Sequence, residues 1–158
     1  SAAAASLSWA AWEKFKHGRA SLIGIVTGTI AGLASITPAS GYVTPVQAII
    51  IGTIAGVLCQ EAVLLIRNRT RIDDTLDVFA VHGVGGILGT IMVALFGLGT
   101  WTAQLGGLLI VGLWTLITTY AILRATALIT PIRVDAEAEH NGLDPGALNT
   151  LICNSRCE

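Results

Sequence analysis

The chain has 158 residues, of which 53% are hydrophobic and only 12% charged; its mean hydropathy is +0.73 and its formal net charge −1. A soluble domain carries roughly 25% charged residues, so about half of the ordinary charge is missing, as in a chain dissolved mostly in bilayer. The net charge does not bear on a nucleic-acid partner, and no basic-aromatic patch suggests one.

The remaining charges are segregated. Between Arg19 and Glu61 lie 41 residues without a charge, and from Val78 to Leu123 a further 46. A membrane span needs roughly 20 residues, so each run holds two spans and a turn. The first element, "SAAAASLSWAAW", has only 12 residues before Glu13. As a helix it would cover about 18 Å of a ~30 Å hydrocarbon core. It lacks the Met and basic start of a signal peptide. It reads as the second half of a span, over residues 1–15, and the chain as a fragment. A second helix is predicted over 21–36, stopped by Thr37 and Pro38, and the turn-rich "TPASGYVTP" follows. A third spans 46–66. The fourth, 77–96, and fifth, 102–127, flank "GLGTWTAQLGG". Pro131 ends the helical pattern, and an acidic tail follows.

All nine basic residues fall on one side of this arrangement. Lys14, Lys16 and Arg19 precede the first hairpin, Arg67, Arg69 and Arg71 separate the two, and Arg124, Arg133 and Arg156 follow. Loops rich in Lys and Arg are cytoplasmic, which orients the chain with its C-terminus inside. The 18 glycines suit closely packed membrane helices. "GTIAG" occurs at 28–32 and again at 52–56, each copy a GxxxG with both glycines on one helical face. A duplicated hairpin is one source of this echo, chance in a Gly-Ala-Ile-Thr-rich sequence another.

The fourth helix carries the one deep titratable group near neutral pH, His82. With Gly85, Gly86 and Gly89 it stands at i, i+3, i+4 and i+7, which predicts a single stripe facing other helices. Ionisable residues at membrane depth are functional by default, so His82 is a pore or relay candidate; a structural histidine bonded to a neighbouring helix is the alternative. Asp77 is placed to accept free N–H groups at the helix start. Asp73 and Asp74 either help it or pair with Arg69 and Arg71. Glu61 reads as a paired or snorkelling carboxylate within two turns of Arg67. Among Thr27, Thr29, Ser35 and Thr37, hydroxyls that commonly bond back to their own helix, only Thr27 is favoured as lining a polar path. Cys59 reads as a small packing residue. Cys153 and Cys157, with His140, fall short of a four-ligand metal site. No nucleophilic triad, paired catalytic carboxylates or phosphate loop can be assembled, so neither an enzyme nor a cofactor is expected.

"GTIAGLASITPASGYVTP" resembles the G-x-I-A-G-L-x-x-I-T-P-A-x-G stretch of the ammonium transporter family (Amt/Mep/Rh). "RIDDTLDVFAVHGVGGILGTI" is similar to its D-D-x-x-D-V-F-x-V-H-G-x-G-G-x-x-G segment. "AAAASLSWAAWEK" resembles the helix before, and "PIRVDAEAEHNGLD" the family's cytoplasmic ending. The resemblance runs through nearly all of residues 1–144. It implies an all-α polytopic membrane bundle of about five transmembrane helices, part of an eleven-helix inverted-repeat channel fold. Residues 1–133 would form the transmembrane region and 134–158 a cytoplasmic tail, in a multi-pass protein of the cell membrane. The family's subunits form trimers with one narrow hydrophobic pore each, containing two touching histidines. His82 matches the second, Val78 a pore-lining position one turn below, and Thr27 a position near the cytoplasmic mouth. Asp74 and Asp77 match structural positions at the cytoplasmic helix end.

Two departures stand out. Ala80 replaces the glycine usual before V-H-G. After "GLD" the chain reads "PGALNTLICNSRCE" in place of H-G-E-x-A-Y, which counts against the PII-type regulator that the resemblance would otherwise imply. The expected activity is ammonium or ammonia conduction. A non-transporting membrane scaffold derived from the family is the alternative, and an unrelated proton-relay subunit a third reading.

Overall fold

The computed structural model describes residues 1–70, 72 and 74–133. Among them lie five α-helices and no strand: α1 (Ala2–His17), α2 (Leu22–Ile36), α3 (Pro45–Arg69), α4 (Val84–Leu95) and α5 (Trp101–Ile129). A 3-10 turn, Thr37–Ala39, follows α2, and a π-helical turn, Phe79–Gly83, leads into α4. The five helices lie where the sequence predicts them, with ends shifted by at most three residues once the π turn is counted with α4. Three segments are long and apolar enough to cross a membrane: Leu22–Ala39, Pro45–Arg69 and Trp101–Ile129. Phe79–Leu95 is apolar but shorter.

Each helix end has a local cause. Gly18, at φ 76°, takes the left-handed conformation after α1 and returns its N–H to the Lys14 carbonyl at 2.9 Å. Ser21 caps α2 by accepting from the Gly24 N–H at 2.9 Å. Thr44 and Gln47 form a capping box around Pro45, the first residue of α3. α4 closes in a Schellman motif: Leu98 N–H bonds the Val93 carbonyl and Gly97 N–H the Ala94 carbonyl, with Gly97 at φ 71°.

The two GTIAG copies share one task. α1 packs against both α2 and α3. A Cβ on Gly28 would lie 2.7 Å from Trp9 Cβ, and one on Gly32 2.6 Å from Ala5 Cβ. On α3, one on Gly56 would collide with Ser8 Oγ and the Ala5 carbonyl, and one on Gly52 with Ser1. The glycines therefore cut a groove in each helix, and α1 fills both. Trp9, Ala31, Cys59, Val63, Ala80 and Val81 form one buried cluster beside it. Ala39, Ile51, Met92 and Val93 form a second.

The chain divides into two compact units, Ser1–Ile110 and Val111–Glu158. No residue of α5 is buried. The tail at 134–158, with His140, Cys153 and Cys157, lies outside the described residues, as do Arg71 and Asp73.

Candidate functional site

His82 sits inside the π turn. Such turns hold one residue more than an α turn and recur at functional sites. Here the turn corrects the predicted stripe: Gly85 and Gly89 are buried as expected, but Ala80 and Val81 continue that face, and His82 is exposed. The widened turn shifts the register by roughly one residue, so a 3.6-residue projection fails across it. Val78, 53% exposed, lies one turn before His82, so the two share the open side. His82 makes no hydrogen bond among the described residues.

Two contacts support the turn. The Phe79 ring lies over Gly83, where a Cβ would stand 3.0 Å from Cδ2. Cys59 Sγ faces the Val81 carbonyl at 3.9 Å, a weak contact that partners a carbonyl of the irregular turn. Cys59 is thus a packing residue with a small polar task.

The entry to the turn assigns the carboxylates differently from the sequence reading. Asp74 is the helix-start acceptor: its oxygens take the N–H groups of Val78 at 2.8 Å, Phe79 at 2.9 Å and Ala80 at 3.4 Å. Asp77 instead receives a bidentate pair from Arg67, Nε to Oδ1 at 3.0 Å and the guanidinium NH2 to Oδ2 at 2.5 Å. Its φ of 55° explains the exchange, because the left-handed backbone turns the carboxylate away from the helix axis and back toward α3. Arg67 is thereby taken from Glu61, whose oxygen accepts from Trp12 Nε1 and Lys16 Nζ on α1, each at 2.5 Å.

Thr29 and Thr37 bond back to the Ile25 and Leu33 carbonyls as the sequence predicts. Ser35 does not; its buried Oγ has no partner. Thr27 makes no hydrogen bond among the described residues and lines a cavity of about 130 Å3 at the basic end of the bundle. Asp77 lines the same cavity, so the predicted residues fall into two places: His82 with Val78, and Thr27 with Asp77. The sequence reading missed Gln60, 4% exposed, which also lines the cavity and whose Oε1 has no partner. Its signal was available, since a polar amide amid Val57, Leu58 and Val63 is anomalous at membrane depth. Among the described residues no group of His, Cys, Asp and Glu forms a metal site.

The profile of the Ammonium Transporter Family matches residues 1–149. A putative ammonium transporter of Methanothermobacter thermautotrophicus is 38% identical over 91% of this chain and 40% of its own length. The ammonium transporter of Bacillus subtilis is 36% identical over 90% and 39%. Among solved structures, a sensor Amt protein superposes with a TM-score of 0.81 at 31% identity, covering 90% of this chain and 38% of that one. Mep2 of Candida albicans gives 0.76 at 33% identity, over 86% and 35%. The chain thus spans about two fifths of the length of the relatives it matches. On a match this extensive, the chain belongs to the Ammonium Transporter Family, whose members are membrane transporters or channels and not enzymes.

Proposed function

We propose that this chain forms the C-terminal part of an ammonium transporter subunit, with His82 and Val78 on the wall of its pore. The observation that carries the reading is the family match over residues 1–149. An imidazole left without a partner on the open side of an apolar helix start supports it. In this reading a second imidazole from the rest of the subunit meets His82, and the subunits assemble as a homotrimer. The basic end of the bundle faces the cytoplasm, with Thr27 near the inner mouth. A PII-type regulator is not part of the proposal, because the tail departs from the family's ending.

The chemistry follows from solvation. Drying a compact cation in a low-dielectric passage costs several kcal/mol even after relaxation. Neutral ammonia loses only hydrogen bonds. An imidazole accepts at one nitrogen while donating at the other, so a pair can replace those bonds and carry the separated proton. His82→Ala in the intact subunit is therefore expected to abolish selective, proton-coupled ammonium uptake in proteoliposomes. A methylammonium current left unchanged would reject the assignment.

A further inference from the structure

We propose that the groove between the basic ends of α1 and α3 binds the headgroup of an anionic phospholipid. Lys16 enters it from α1; Glu61, Leu64, Leu65, Asn68 and Arg69 come from α3. None of His82, Val78 and Thr27 lines it. The groove measures about 510 Å3, inside the range of roughly 300–1,000 Å3 typical of ligand sites.

Position selects an amphiphile. Arg69 is the last residue of Pro45–Arg69, the most apolar of the membrane-length segments. Leu65, one turn earlier on the same face, is 60% exposed. A molecule lying along this face meets apolar surface first and a guanidinium where the span ends. Trp12, stacked on Phe15, reaches the groove wall by donating to Glu61. Indole rings gather at that lipid–water boundary.

Charge selects the sign. The lining carboxylate, Glu61, is already held by Lys16 and Trp12. The exposed side chains of Asn68 and Arg69 make no hydrogen bond or ion pair among the described residues. Lys16 and Arg69 against Glu61 leave one positive charge in excess. A planar guanidinium matches two oxygens of a phosphodiester, and the Asn68 amide can donate to a headgroup hydroxyl. Basic pockets between helices at a membrane boundary hold such headgroups. A free phosphate would satisfy Arg69 and leave Leu64 and Leu65 bare, so the lipid fits better. The proposal requires only that α3 cross a bilayer, and is independent of His82 and of transport.

The test is tryptophan quenching by brominated lipid. The full chain carrying Trp101→Phe and Trp114→Phe retains Trp12 beside the groove and the buried Trp9. It is placed in phosphatidylcholine nanodiscs containing a fixed share of brominated phosphatidylglycerol or brominated phosphatidylcholine. The relative association constant of the two lipids is then read. We expect phosphatidylglycerol to be preferred. Arg69→Gln should lower that preference about fivefold, the weight of one basic residue at an anionic surface, and Arg69→Lys should keep most of it. Arg19→Gln, in a basic loop outside the groove, should leave it unchanged. Equal loss in Arg19→Gln and Arg69→Gln would reveal diffuse attraction to the whole basic end and overturn the proposal. So would equal quenching by both lipids, or quenching by neither, as when a second copy of the chain covers the groove. Relief of the excess by inorganic phosphate at constant ionic strength would assign the groove to the free anion and equally overturn it.

Discussion

Asp77 joins two demands in one residue. Its backbone sits at φ 55°, a region that costs most L-residues roughly 1–2 kcal/mol and that Asp and Asn tolerate best. Its carboxylate, 13% exposed, is held by Arg67, itself 57% exposed. Arg67→Ala should therefore lower stability by about 2 kcal/mol, near the low end for hydrogen bonds to a charged group that is partly buried. Asp77→Asn should cost less than Asp77→Ala by about 1 kcal/mol, because asparagine keeps the backbone tolerance. Thermal unfolding of the three variants in detergent checks both statements; equal loss for Asn and Ala would show that the backbone strain is illusory. The carboxylates were legible as a helix-start group but not in their separate roles. Which of Asp74 and Asp77 caps depends on one dihedral angle that no residue pattern announces.

At the scale of elements, glycine has opposite value in different helices. In α2 and α3 the GTIAG glycines admit α1, whereas a Cβ on Gly112 of α5 meets nothing within 4 Å. The same substitution should then change sign with position. Gly28→Ala drives a methyl into Trp9 and should destabilise by about 1–3 kcal/mol. Gly112→Ala removes only the helix penalty of glycine and should stabilise by about 0.5–1 kcal/mol. Detergent melting curves of the two variants decide it, and a shared sign would refute the groove. Helix positions were legible because charge-free runs, prolines and turn residues bracket them. The T-P-V-Q capping box at 44–47 was equally readable and was missed. The π turn was not readable, since His82, Gly85 and Gly89 fit an α-helical stripe as well as any sequence can.

At the scale of the molecule, two features organise the chain: the apolar surfaces of its helices and the basic end where Lys14, Lys16, Arg67 and Arg69 gather. In the proposed orientation, which follows the positive-inside rule, that end faces the cytoplasm. In a background with Cys59, Cys153 and Cys157 replaced, a cysteine at Tyr42 should react with impermeant maleimide from outside the cell. One at Asn68 should react only after permeabilisation; the reverse pattern would invert the orientation. Membrane character and family were legible across almost the whole chain. Partners between helices were not: Glu61 meets Trp12 and Lys16, 49 and 45 positions away, because such pairings depend on the azimuth of each helix.

The widened turn at Phe79–Gly83 makes the histidine's bearing a matter of chain count. Excising one residue ahead of His82 would restore an ordinary helix and swing the ring by about 100° toward the side that Gly85 and Gly89 bury. A single-codon deletion there would thus take the imidazole off the open side without altering the ring itself, whereas most substitutions in the same five residues would leave its direction untouched.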